Sequence, residues 1–200
     1  MKKSEVIILI TFILSIILSN LLIFFNKYDK LLDSIIRIHI LANSNTKEDQ
    51  LLKYKIKDEI SSDIFNLLNK ETNKEKAKNV IFNNLDNILK MTKSKVKYYG
   101  YNYDVKVKLT KSYFPTRKYD KFVLPAGKYD TLKIKLGKGK GDNWWCVAFP
   151  PMCSPIYSDE NNNVDILGVE QMEMIKKPCR YKFAIVELIT NIKKMMDNNK

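Results

Sequence analysis

The sequence predicts an α+β domain carried behind a single membrane helix, and three observations predict it. A charge-free apolar run lies near the N-terminus, two segments of helical periodicity follow, and the chain then changes to the two-residue period of strands. Helices grouped apart from strands indicate α+β rather than alternating α/β architecture. The expected body is one domain with a mainly antiparallel sheet of about four strands, packed by two or three helices.

Val6 to Phe25 is 20 residues without a charge. As a helix it spans about 30 Å, the thickness of a bilayer's hydrocarbon core. Lys2 and Lys3 precede it, which keeps the N-terminus inside and exports the rest, against a weaker opposing pull from Lys27 and Lys30. The run is longer than a signal h-region and no small-x-small cleavage site follows it, so an uncleaved signal-anchor is expected. The expected division is a membrane segment over 1–25, a short polar linker over 26–33 and one extracytoplasmic domain over 34–200.

The next elements follow from periodicity. Ile36, Ile38 and Ile40 alternate with Arg37 and His39, as in a half-buried strand, and Ala42-Asn43-Ser44-Asn45 turns out of it. Thr46 and Asp49 form a capping pair for a helix whose apolar stripe is Leu52, Ile56, Ile60, Ile64 and Leu68, widened by Leu51, Phe65 and Leu67. Lys53, Lys55 and Lys57 are expected on its polar faces. Thr72 and Glu75 read as the cap of a second helix, with Ala77, Val80, Ile81, Leu85, Ile88 and Leu89 inward, running to about Lys95.

Tyr101, Tyr103, Val105, Val107 and Leu109 then alternate with polar residues, the clearest strand in the chain. Phe122 to Leu124 and Tyr129 to Leu136 read as a hairpin around Pro125-Ala126-Gly127, with Lys133 and Lys135 opposite Leu132, Ile134 and Leu136. Gly137 to Asn143 is a tight connection, and the apolar Trp144 to Phe149 suits a strand covered on both faces, stopped by Pro150-Pro151. Ser154 to Gly168, with Asn161 to Asn163 at its tip, reads as a mobile loop, and Tyr181 to Met196 as a last helix.

Charge narrows the partners. The chain carries a formal +13, and residues 1–25 hold two lysines and one glutamate, which leaves +12 beyond them. Such a surface favours anionic partners. Arg37, Arg117 and Arg180 are the only arginines, which argues against nucleic-acid reading, where the planar guanidinium fork dominates.

Catalytic signals are weak. Gly137, Gly139 and Gly141 lead into a strand instead of a helix, so a turn explains them better than a phosphate cradle. His39 is the only histidine and no G-x-S-x-G elbow is present. Cys146, Cys153, Cys179 and His39 match no zinc-finger or ribbon spacing. Cys146 and Cys153 bracket a short loop; a disulfide closing it and free structural thiols both fit, with Cys179 left over. Strand alternation puts Trp144 and Trp145 on opposite faces, so an outward indole beside Phe114 or Tyr119 would be a protein-binding hot spot.

Two segments carry a family resemblance. One is Ile36-Arg37-Ile38-His39-Ile40-Leu41-Ala42-Asn43-Ser44 through Asp49-Gln50-Leu51-Leu52-Lys53. The other runs from Phe114-Pro115-Thr116 and Tyr119 through Leu124-Pro125-Ala126-Gly127-Lys128-Tyr129, Leu136-Gly137, Gly139, Gly141, Asn143-Trp144-Trp145-Cys146-Val147 and Phe149-Pro150-Pro151 to Cys153. Together with Val186-Glu187-Leu188-Ile189 they resemble the stage II sporulation protein R family. Asn45 stands where that family often has Asp. The resemblance implies a protein made in the forespore, exported into the space between the two cells and held at the membrane or secreted. There it would trigger a membrane-embedded protease of the mother cell, so that the precursor of sigma-E is processed.

No catalytic residue, cofactor, metal, nucleic acid or small-molecule substrate is expected. The expected partner-binding residues are Trp144, Trp145, Phe149 and Pro150, with Gly139 and Gly141 of the turn and Arg37 and His39 of the first strand. Two other readings stay open: an envelope hydrolase using a carboxylate pair, and a basic module binding anionic wall polymer or lipid.

Overall fold

The computed structural model describes residues 3–152, 166–178 and 180–198, with backbone alone for 180 and 193–198. Its first element is one 32-residue helix, α1 (Lys3–Ser34). The large apolar side chains from Val6 to Leu18 point outward, and its length and composition suffice to cross a bilayer. The stretch expected as a linker, 26–33, instead continues this helix. Phe24, Tyr28 and Leu31 fall at i, i+4 and i+7, and all three are buried. Tyr28 donates from its hydroxyl to the Ala126 carbonyl at 2.6 Å. The apolar residues that interrupt the polar stretch are therefore a packing stripe, and the apolar segment and the domain share one helix.

The sheet is built around β1 (Ile36–Leu41). It pairs in parallel with β5 (Gly127–Leu136) and antiparallel with β6 (Asn143–Phe149). The strand β2 (Val105–Phe114) pairs antiparallel with β5 along ten residues, giving the order β2-β5-β1-β6. Two of the three pairings are antiparallel, in agreement with the expected four-strand, mainly antiparallel sheet. The hairpin expected across Pro125-Ala126-Gly127 does not form. Val123–Leu124 (β4) pairs with Arg117–Lys118 (β3) in a small separate ribbon. Gly127 serves close approach rather than turn closure, since a Cβ there would lie 2.8 Å from the Tyr28 hydroxyl and 2.9 Å from Leu32. The β5–β6 connection likewise is no hairpin: β1 lies between the two strands.

Three helices cover one face. In α2 (Lys47–Leu68), Thr46 caps through its side chain to the Asp49 amide at 3.3 Å, as expected. Leu52, Ile56, Ile60, Ile64 and Leu68 all pack inward against Ile36, Ile38, Ile40, Leu132, Ile134 and Leu136. Leu51 is 61 % exposed and widens nothing. Lys53, expected on a polar face, is 1 % exposed; its ammonium bonds the Gln50 side chain at 2.6 Å and the Asp142 carbonyl at 3.1 Å. The expected second helix is two, α3 (Lys74–Asn83) and α4 (Leu85–Tyr98), broken at Asn84. Its cap is Asn73, not Thr72: the Asn73 oxygen accepts from the Glu75 and Lys76 amides at 2.8 and 3.3 Å. From the sheet, the buried Asp130 meets Lys74 at 2.7 Å and Lys78 at 3.3 Å on α3.

The opposite, outer face is covered only at one end. There Leu31 and Ile35 pack with Leu124, Phe122, Met172 and Ile175. The last two belong to α5 (Val169–Lys176), a helix the periodicity did not reveal. The expected last helix is present as α6 (Arg180–Asn198), joined to α1 through Phe24, Tyr28, Phe183 and Val186.

Candidate functional site

On the outer face the strand register sets up successive rows. Thr110, Thr131, Arg37 and Val147 form one row, and Lys108, Lys133, His39 and Trp145 form the next. Lys106, Lys135, Leu41 and Asn143 form the row beyond.

Arg37 was expected on the exposed side of a half-buried strand, yet it is 0 % exposed. Its guanidinium carbon lies 4.0 Å from the Phe114 ring centre, 5.2 Å from Tyr129 and 5.9 Å from Tyr119. It donates through Nη2 to the Tyr119 hydroxyl, and Nε and Nη1 have no partner. Ring faces offset part of the charge's desolvation. An unmade buried hydrogen bond still costs about 1–3 kcal/mol. Burial pushes the Tyr119 phenol up, against the nearby Arg37 charge, so Tyr119 stays a neutral acceptor for this donor.

Trp145 borders this cluster. Its indole is half-buried, edge-on to Phe114 at 5.9 Å, with the exposed Arg117 guanidinium 3.9 Å above it. His39 sits 5.8 Å from the same indole and 2.7 Å from the Asn143 side-chain oxygen. Burial holds its pKa below the ordinary value, and the charges of Lys133 and Arg37 add to this against the Asn143 bond. The imidazole is thus neutral near pH 7 and donates to Asn143.

The remaining expected residues lie elsewhere. Trp144 is on the helix-covered face, 5.7 Å from Lys57, so the two indoles diverge as alternation requires. Phe149 and Pro150 are buried and offer no surface. Gly139 and Gly141 belong to a turn wrapped over the end of β1. Lys140 and Gly141 donate to the Asn43 and Ala42 carbonyls at 3.1 and 3.0 Å, and Lys138 and Asp142 to the Asn43 and Asn45 side chains at 2.9 and 2.6 Å. These amides are spent inside the fold, which gives the physical reason that the glycine-rich run is no anion cradle. A Cβ at Gly141 would stand 2.1 Å from the Ser44 carbonyl oxygen. Asn43 and Ser44 in turn donate to Asp49 at 2.8 and 2.6 Å. Burial pushes that carboxyl up, but these bonds prevail and hold it below its ordinary range.

Cys146 is disulfide-bonded. Cys153 and Cys179 lie outside the described residues, as does most of the expected loop from Ser154 to Gly168. Among the described residues no group of three His, Cys, Asp or Glu side chains is placed to hold a metal ion. Residue patterns point to Arg37, His39, Trp145, Phe114 and Tyr119 as site candidates but give Tyr129 and Arg117 no role in a site. Each lies a few residues after a single proline, Arg117 after Pro115 and Tyr129 after Pro125, which is no signal of a shared site.

The model of the family described as stage II sporulation protein R matches residues 32–159, which spans β1 to β6 and so every residue of the cluster. A curated relative, "Stage II sporulation protein R" of Bacillus subtilis (strain 168), is 39 % identical over 145 residues. That match covers 72 % of this chain and 63 % of the relative's length, so this chain matches less than two thirds of it. No solved structure matches. With the A-N-S turn and the N-W-W-C-V strand both set into one sheet, the chain belongs to the stage II sporulation protein R family.

Proposed function

We propose that this sporulation protein is an exported signal. In this reading α1 holds it in the forespore membrane, the domain lies in the space between the two cells, and it binds the extracytoplasmic part of a membrane-embedded protease of the mother cell. Binding would have to favour the protease's cleavage-competent state over its resting one, because only differential affinity shifts such an equilibrium. Processing of the sigma-E precursor would follow.

The observation that supports this best is the family match across the domain, joined to an apolar helix that runs without interruption into its core. Trp145 with Arg117 stacked on it has the composition of a protein-binding hot spot. The two tryptophans allow a controlled test. In a sporulating host, Trp145→Ala should slow precursor processing, while Trp144→Ala, on the helix-covered face, should act only through stability. Normal processing by a folded Trp145→Ala protein would remove this surface from the proposal.

A further inference from the structure

We infer that the uncovered outer part of the sheet is a docking face for an acidic segment of a partner protein; this deepens the signalling reading above and rests on it. Two successive rows place lysine directly opposite lysine: Lys106 with Lys135, and Lys108 with Lys133. Directly opposed residues of an antiparallel pair have Cβ atoms about 5 Å apart, and like charges there destabilise the sheet. Lys106 and Lys108 are exposed and Lys133 and Lys135 half-exposed. Among the described residues none of the four joins an ion pair.

Lysines that only guard a sheet edge against aggregation would belong on β2 alone. Lys133 and Lys135 are on β5, an inner strand, so edge protection does not account for them. The row behind them adds Arg37, a buried cation whose Nε and Nη1 have no hydrogen-bond partner. The fold therefore concentrates positive charge on one side of one sheet and leaves it unneutralised.

Position and flanking chemistry favour a protein over lipid of the anchoring membrane. At the start of β5, Gly127 lies against Tyr28 and Leu32 of α1, the end where the anchor enters. Lys135 is eight residues further on, up to about 26 Å away along the strand. The basic rows thus lie at the far end of the strands from the anchor. They are bordered by Trp145 and Arg117, residue types that dominate protein interfaces.

The test uses the purified full chain in detergent micelles with a fluorescein-labelled oligoglutamate peptide as the probe. Lys133→Glu with Lys135→Glu should weaken binding about tenfold or more, whereas the equal charge change Lys90→Glu with Lys93→Glu on α4 should change it less than about twofold. Lys133→Gln with Lys135→Gln guards against misfolding. It should lose binding yet raise Tm by about 2 °C as like charges are removed. Equal losses in the two charge-reversed proteins, or no peptide binding by the wild type, would overturn the docking face. So would tighter binding to vesicles of anionic phosphatidylglycerol than to the peptide, lost in the same pair. The assay contains no protease, so its failure leaves the signalling reading standing. Normal precursor processing in cells by a pair that no longer binds peptide would instead cut the link between this face and the signal.

Discussion

The two faces of the sheet use the same four strands to opposite ends. On the helix-covered face, Ile36, Ile38, Ile40, Leu132, Ile134 and Leu136 meet an isoleucine-rich stripe, and the buried Lys53 and Asp130 there are both partnered, Lys53 by Gln50 and the Asp142 carbonyl and Asp130 by Lys74 and Lys78. On the outer face the same strands present Arg37, His39, Lys133 and Lys135, and a buried guanidinium stands where an aliphatic side chain would pack as tightly. Burial on the first face supplies stability; on the second it holds charge and aromatic surface in a set position at a cost to stability. A fold of this size can carry that cost because the first face is complete.

Substitutions sharpen this contrast. The largest effect belongs to the helix side: Ile56→Ala should lower unfolding free energy by about 4 kcal/mol in a denaturant titration, through lost burial and a residual cavity. Gly141→Ala should cost about 2 kcal/mol by forcing the turn away from the Ser44 carbonyl. Because that turn flanks the basic rows, peptide affinity should fall with it. Arg37→Met is the decisive reversal. Although Arg37 is as buried as Ile56, its replacement should leave stability unchanged or raise it by about 1 kcal/mol, because a desolvated cation and two orphan donors disappear. A loss as large as that of Ile56→Ala would break the comparison.

The smallest effect is a pH dependence. The His39 pKa is lowered in the fold from its ordinary 6.5, so as pH falls the unfolded chain takes up the proton first. Its contribution is complete above the ordinary value and is lost as pH drops through the folded value. Thermal scans from about pH 7.5 to about pH 5 should show a slope that His39→Gln reduces.

Much of the architecture was legible in residue spacing. The four-residue stripe from Leu52 to Leu68 and the alternation through Val105, Val107 and Leu109 each identify an element and its inward side. Periodicity could not report what a distant segment lays over the other side. Arg37 reads as the open side of a half-buried strand because nothing local announces Phe114, Tyr119 and Tyr129 folding over it, whereas His39 is half-buried as its strand pattern suggests. The same limit explains the linker that is helix, since Tyr28 bonds to Ala126, just before β5, and Leu31 packs with α5, each more than ninety residues away. It explains the missing hairpin too, because β5 takes β2 and β1 as its neighbours while Val123–Leu124 pairs with Arg117–Lys118. Local competition accounts for the shifted cap: Asn73 and Thr72 both suit that role, and one residue of register separates them.

The most direct measurement is capture of the mother-cell protease from sporulating cells by the tagged full chain. The account predicts that the protease's extracytoplasmic loops co-purify with the wild type and that Trp145→Ala or the Lys133→Glu, Lys135→Glu pair releases them at unchanged fold. Equal capture by these folded variants, or a wild-type chain recovered from the cytosol without the protease, would contradict it.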